Sequence, residues 1–265
     1  MNMPELLQRP DGRLAYEVAG HGPPLFLVTG LGGSRRYWAN LVPALSREFT
    51  VITHDHMCIG DSHGSRSDHT VKALADDVIA LMDHLGIRQA HLLGHSTGAA
   101  VGQVLAQDHP QRLLKLVLSA GWAGPDPYFK LCFEARKALL EGSGVVAYQR
   151  AGAFFLYPPS WISEDSRRLE SLLAGFVATT PAAEVLAARV DMIVAFDRRS
   201  RQHEIVAPTL VVCAKDDQLT PMHLSEELAA GIPHARLARL SWGGHAASQT
   251  SPEEFLNVVV EFLRP

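Results

Sequence analysis

The residues that could do chemistry begin with the segment Gly94-His95-Ser96-Thr97-Gly98. The apolar stretch Ala90-His91-Leu92-Leu93 before it suits a short buried strand. The stretch Ala99-Ala100-Val101-Gly102-Gln103-Val104-Leu105-Ala106 after it suits a helix. A serine at the tip of a sharp strand-to-helix turn points its hydroxyl outward at a helix N-terminus, where N–H groups stabilise developing negative charge. The glycines two before and two after keep side chains from crowding the backbone of such a strained turn. Ser96 is therefore a candidate nucleophile. A hydroxyl is a poor nucleophile at neutral pH, so it needs a base to take its proton and an acid to orient that base.

Residues of the right type follow downstream. His245 stands in Trp242-Gly243-Gly244-His245-Ala246, a glycine-rich loop after the last strand candidate that can aim a ring into a site. The other downstream histidines are placed less well: His109 ends the helix after the serine, His223 opens a helix, and His203 and His234 stand just before strand candidates. Two carboxylates, Asp216 and Asp217, compete in Cys213-Ala214-Lys215-Asp216-Asp217-Gln218-Leu219-Thr220-Pro221. The loop Thr29-Gly30-Leu31-Gly32-Gly33-Ser34 is rich in glycine, but it lacks the Gly-x-Gly-x-x-Gly pattern and the Gly-Lys-Ser/Thr ending of phosphate-binding loops.

Taken together these segments resemble the α/β-hydrolase superfamily, over essentially the whole chain from an N-terminal hairpin to a final helix at Pro252–Leu263. The resemblance implies the chain order serine, acid, histidine, hence Ser96, Asp217 and His245 as the catalytic residues. Asp217 lies four residues before Pro221, the spacing this loop usually shows in the family, which leaves Asp216 to hydrogen-bond the loop or face solvent. The resemblance also implies an oxyanion hole from the backbone N–H groups of Leu31 and Thr97, each such donor typically worth roughly 3–4 kcal/mol.

A closer similarity is carried by Gly30-Leu31-Gly32-Gly33-Ser34 with Tyr37-Trp38, by Gly121-Trp122, and by Phe155-Leu156-Tyr157-Pro158 with Trp161. Cys213-Ala214-Lys215-Asp216-Asp217 and Gly243-Gly244-His245-Ala246 belong to the same set. These look like the aminoacrylate (or carbamate) hydrolases of bacterial pyrimidine degradation; enol-lactonases of aromatic catabolism are similar in general plan. The chain departs from that pattern in two ways. The pyrimidine-pathway group can lack the elbow serine, whereas Ser96 is present here. In Asp55-His56-Met57-Cys58-Ile59-Gly60-Asp61-Ser62 the superfamily usually has Gly where Cys58 stands, and often Arg where Met57 stands. Cys58 either narrows the site or packs as an ordinary thiol; nothing in the sequence identifies a base beside it.

The elements that must position these residues can be read from periodicity. Leu6-Leu7-Gln8-Arg9 and Leu14-Ala15-Tyr16-Glu17-Val18 flank a Pro10-Asp11-Gly12 turn and read as a hairpin. Strands are expected at Leu25 to Val28, Val51 to Thr53, Ala90 to Leu93, Leu113 to Leu118, Thr209 to Cys213 and Ala235 to Leu240. Residues 71–85 carry apolar side chains at helical spacing. Strands that alternate with helices and are apolar nearly throughout imply an α/β class: a mostly parallel, doubly wound, eight-stranded sheet with sites at the carboxyl ends of its strands. From about 122 to 204 no convincing strand occurs, and helices are expected at about 128–141, 145–156, 163–178 and 182–197. This predicts a helical cap at 122–204 inserted after the sixth strand, on a core formed by 1–121 and 205–265. The cap's aromatic residues mostly pack it onto the core; Trp122, Phe154, Phe155, Tyr157 and Trp161 are the ones expected to line an apolar pocket.

Composition narrows the function classes. The chain has 265 residues, a net charge of −4 and no strongly basic stretch, which argues against nucleic acid as a partner. Cys58, Cys132 and Cys213 show no metal-ligand spacing, and His54, His56, His63, His69 and His91 fall at none either, so no metal and no cofactor are expected. Met1-Asn2-Met3-Pro4-Glu5 is not a signal peptide, and no apolar run approaches a membrane span; free thiols then point to the cytoplasm. The partner is a small-molecule substrate, and a homodimer is left open.

The expectation is a serine esterase, lactonase or amidase of a small, moderately apolar substrate, acting through an acyl-enzyme. The alternatives are a ligand sensor on a hydrolase scaffold, or a perhydrolase or C–C bond hydrolase using the same three residues.

Overall fold

A computed structural model describes residues 3–264; Pro265 lies outside them, as do Met1 and Asn2 of the N-terminal segment read for a signal peptide. The strands are β1 (Glu5–Arg9), β2 (Gly12–Ala19), β3 (Pro24–Val28), β4 (Thr50–His54), β5 (His63–Gly64), β6 (Ala90–His95), β7 (Leu113–Ser119), β8 (Thr209–Ala214) and β9 (Arg236–Leu240). The helices are α1 (Val42–Leu45), α2 (Val71–His84), α3 (Thr97–Asp108), α4 (Pro127–Leu156), α5 (Pro159–Glu164), α6 (Ser166–Thr179), α7 (Ala183–Ala195), α8 (Met222–Gly231), α9 (Ala247–Thr250) and α10 (Pro252–Leu263).

One sheet runs in the order β1-β2-β4-β3-β6-β7-β8-β9, with β5 paired to β2. β1 and β2 form the hairpin and are antiparallel, and β3 to β9 in the main path are parallel. The sheet thus has one strand more than the eight expected. β5 is only two residues long and exposed, too short to leave a period in the sequence. β9 mixes exposed, partly buried and buried positions because it is an edge strand, not a fully covered one.

Residues on successive positions of the central strands face opposite sides, which produces two cores. Phe26, Leu92, Leu118 and Val211 pack with α2, α3 and α8 on one face. Leu27, Leu93, Val117 and Val212 pack with Trp38, α1 and α10 on the other. Both faces are therefore covered, as near-continuously apolar parallel strands require. β6 and β8 are buried along their whole length.

Helices α4 to α7 lie between β7 and β8 in the chain, and α4 packs against α6 and α7. α4 bends sharply at Gly144, where φ is 81° and ψ is 178°, a backbone region that essentially only glycine enters. The apolar pattern shows this break as a gap between 141 and 145. The bend brings Arg136 and Tyr148 together: on a straight helix they would stand about 18 Å apart along the axis, yet the Arg136 Cζ is 4.7 Å from the centre of the Tyr148 ring. No single helix among the described residues is long and apolar enough to cross a membrane; α6 and α7 reach that length only as a pair, bent by 98°.

Candidate active site

Ser96 sits between the end of β6 and the start of α3 with φ 54° and ψ −115°, a conformation a non-glycine residue holds only when its surroundings impose it. Two close approaches impose it here. A Cβ on Gly94 would stand 2.8 Å from the Ala99 nitrogen, and one on Gly98 would stand 2.7 Å from the Val28 carbonyl carbon. Both positions must be glycine for the strand to turn into the helix. The Ser96 N–H donates to the Ser119 carbonyl at 2.8 Å, tying the turn to β7.

Asp217 and His245 come together in the loops after β8 and β9. Asp217 Oδ2 is 3.0 Å from His245 Nδ1, and both side chains are buried. Oδ1 of the same carboxylate accepts from the Leu219 and Thr220 N–H groups, each at 2.9 Å, which fixes its orientation. With Nδ1 facing a carboxylate, the imidazole carries its proton there and presents Nε2 as the free acceptor. Asp216 does not face the ring: its Oδ1 accepts from the Gly244 N–H at 2.9 Å and so holds the histidine loop. The Ala246 N–H donates to the Leu156 carbonyl at 3.0 Å, clamping the other side of His245 to the end of α4.

Thr220 completes the arrangement. Its Oγ1 is 2.9 Å from Asp217 Oδ2, 3.1 Å from His245 Nδ1 and 3.1 Å from the Ala120 carbonyl oxygen. Sequence reasoning passed over Thr220, although an Asp followed three residues later by Thr is a common local hydrogen-bonding spacing.

Ser96 and His245 line one cavity of about 430 Å³, shared with Leu31. Among the described residues the Ser96 hydroxyl makes no hydrogen bond, to His245 or any other group. Such contacts are often long in unliganded enzymes and tighten with substrate. The N–H groups of Leu31 and Thr97 also have no protein acceptor among the described residues. Thr97 is the first residue of α3, so its N–H lies at the positive end of that helix. A Cβ on Gly30 would be 3.2 Å from the Ser96 Cβ, which places the 29–34 loop directly beside the serine.

That loop is held from behind. Fully buried Arg189, on α7, donates to the Leu31 carbonyl from Nε at 3.1 Å and from Nη2 at 2.8 Å, and its Nη2 is 2.8 Å from His56 Nδ1. Burial lowers the Arg189 pKa to about 10, so it stays charged at neutral pH. Burial, reinforced by Arg189, holds His56 well below the usual histidine range, so its Nδ1 accepts. The His56 N–H donates to the Gly33 carbonyl at 2.8 Å. Arg35 then ties the loop to buried Asp55. His95, next to Ser96, stacks on Tyr37 with ring centres 4.8 Å apart; burial and the nearby His245 keep it neutral, so it puts no charge beside the catalytic candidates.

Of the five aromatic residues expected in the pocket, only Tyr157 lines it. Trp122 is buried against Phe129 and Phe196, Phe154 is 72% exposed on the outer face of α4, and Trp161 stacks behind Tyr157 at 4.8 Å. Phe155 faces the Arg136 guanidinium from outside the lining. The aromatic rings that do line it, besides Tyr157, are Tyr37, Phe133, Tyr148 and Phe176, because the bend in α4 and the packing of α6 choose which helix faces turn inward. Cys58 lies outside the cavity. Its φ of 68° explains why glycine suits this position; the residue packs against the core, and its thiol stands 3.6 Å from the Gly64 carbonyl oxygen.

Comparison with known proteins identifies the family. A family profile described as alpha/beta hydrolase fold matches residues 23–153. A protein of Caulobacter vibrioides, whose provisional name is carbamate hydrolase RutD, is 41% identical over 260 residues, 96% of each chain. The crystal structure of a hydrolase from Pseudomonas aeruginosa superposes with a TM-score of 0.90 at 31% identity, covering 99% of this chain and 98% of that one. That of the enol-lactonase from Burkholderia xenovorans gives 0.87 at 28% identity, covering 95% and 96%. The chain therefore belongs to the α/β-hydrolase family and is a hydrolase.

Proposed function

We propose that the chain is a serine hydrolase working through Ser96, Asp217 and His245. The observation that carries this reading is the buried 3.0 Å contact between Asp217 and His245 at the wall of the cavity into which the strained Ser96 turn opens. His245 Nε2 takes the Ser96 proton as Oγ attacks a carbonyl carbon. Asp217 holds the ring and stabilises the imidazolium that forms. The oxyanion is received by the free N–H groups of Leu31 and Thr97. The protonated imidazole then gives its proton to the leaving group, and water, activated by the same base, releases the acid from the acyl-enzyme. The cavity volume suits a small molecule, and its mostly apolar walls favour an ester, lactone or activated amide over a polar polymer. Relatives named for carbamate and enol-lactone hydrolysis cleave bonds of this class.

The test is turnover of a 4-nitrophenyl ester together with labelling by a fluorophosphonate. Ser96→Ala is expected to abolish both while leaving the far-ultraviolet circular dichroism unchanged. Undiminished turnover in a folded Ser96→Ala protein would refute the mechanism.

A further inference from the structure

The cavity next to Ser96 is lined by Arg36 and Arg136 and by no Asp or Glu, in a chain whose net charge is −4. Arg36 is at the rim, with its side chain 64% exposed. Arg136 is different: it is 6% exposed. Among the described residues no carboxylate stands within 4.0 Å of its guanidinium, and it donates no hydrogen bond to the protein. Its Nε is buried without a partner. Three rings surround it, Phe133, Tyr148 and Phe155, with centres 5.2, 4.7 and 5.7 Å from its Cζ. The Tyr148 hydroxyl, in the same wall, is also buried without a partner.

A guanidinium taken out of water without a counter-ion is costly, and aromatic faces compensate only part of that cost. Every other strongly buried arginine here has protein partners. Arg35 pairs with Asp55, and Arg189 donates to the Leu31 carbonyl. Of the buried arginines among the described residues, Arg136 alone keeps its donors unused, and it does so in the wall of the cavity that holds Ser96.

We propose that Arg136, with the Tyr148 hydroxyl, is an anion-binding subsite that receives a carboxylate carried by the substrate, at a position remote from the bond that Ser96 attacks. The planar fork of the guanidinium matches a carboxylate with two parallel N–H···O bonds, and the phenol supplies a further donor. The aromatic walls exclude water from the pair and strengthen it. The substrate is then a small acyl compound with a free carboxylate at one end and an ester, lactone or amide carbonyl at the other. This rests on Ser96 being the nucleophile, since the second group is placed relative to it.

The experiment compares two esters of equal chain length, mono-4-nitrophenyl glutarate and 4-nitrophenyl valerate, in the full-length protein. The ratio of their kcat/KM values, anionic over neutral, is expected to favour glutarate. In Arg136→Met it should fall on the order of a hundredfold, with valerate turnover retained. Arg136→Lys should recover part of the ratio, and Tyr148→Phe should lower it to a smaller extent than Arg136→Met. Free glutarate should inhibit the wild-type protein competitively and Arg136→Met far less. An unchanged ratio in a folded Arg136→Met protein overturns the subsite while leaving the serine mechanism standing, because Ser96→Ala would still abolish valerate turnover. If neither ester is turned over, calorimetric titration with glutarate decides: absent binding, or binding that survives Arg136→Met, overturns it. If Arg136→Met does not fold, the Arg136→Lys and Tyr148→Phe ratios carry the decision, and equality with wild type in both overturns it.

Discussion

Replacing Arg189 by Met tests whether helix α7 holds the 29–34 loop in register. Three ties hold the 29–34 loop: the paired Arg189 bonds to the Leu31 carbonyl, the His56 N–H to the Gly33 carbonyl at 2.8 Å, and the Gly33 N–H to the Gly30 carbonyl at 3.0 Å. Methionine has similar length and fills the space, but it donates nothing. An oxyanion donor is worth about 2.7–4 kcal/mol when removed outright. Here the Leu31 N–H remains and two of three anchors persist, so a partial loss of about 1.4–2.8 kcal/mol is expected. That is a ten- to hundredfold fall in kcat. KM for a neutral 4-nitrophenyl ester should change little, because the loop acts on the developing oxyanion. Stability should move less than activity. The charge-assisted bonds lost, about 1.5–3 kcal/mol each, are opposed by the relief of burying a cation that has no carboxylate partner. Arg189→Lys should not restore kcat, because one ammonium cannot span both the Leu31 carbonyl and His56 Nδ1 as the guanidinium does. Steady-state kinetics with a melting curve on the same sample reads both quantities. A folded Arg189→Met protein with wild-type kcat would refute the argument, as would a loss confined to KM.

Gly98→Ala places a Cβ against the Val28 carbonyl in the middle of the sheet and should lower stability by more than about 3 kcal/mol; calorimetry showing an unchanged midpoint would contradict the close approach. Cys58→Gly relieves the left-handed strain at φ 68° and should raise the melting temperature by about 2–4 °C, for about 1 kcal/mol, without changing turnover. His54, His56, His91 and His95 all have their pKa lowered by burial, His91 to about 4. The folded state therefore favours their neutral forms, while the unfolded chain takes up protons below about pH 6.5. Their contribution is complete above that pH and is lost as pH falls towards 4, so the melting temperature should drop between pH 6.5 and 5. His91→Phe should flatten part of that slope, and identical slopes for both proteins would count against the assignment.

The parts legible in the sequence are those written locally. The Gly94–Gly98 turn, the loops carrying Asp217 and His245, and helices α4, α6 and α7 declare themselves locally, whereas the short α5 leaves no period of its own. Periodicity even registers the break in α4 near Gly144. The parts that stayed hidden depend on contacts between distant segments. Nothing near Arg189 says that it will reach the Leu31 carbonyl, 158 positions away. Arg136 reads as a surface helix residue until the bend and the packing of α6 enclose it. The choice among aromatic residues went astray for the same reason, since Phe154 and Phe155 are neighbours on a helix and the fold turns neither into the cavity.

The bend at Gly144 separates two duties that many enzymes entangle. Ser96, Asp217 and His245, the proposed catalytic residues, follow the carboxyl ends of β6, β8 and β9 in a sheet covered on both faces. Arg136 and Tyr148 belong to one helix, and their mutual placement depends on the dihedral angles of a single residue between them. With the proposed subsite on it, helix α4 is an exchangeable cassette: a change in its sequence would change the charge and length of what is admitted, while the strand ends keep their residues. The cost is a point of fragility, because a side chain at position 144 would strain the bend and part the two halves of the proposed subsite, and with them the Leu156 carbonyl that holds the His245 loop.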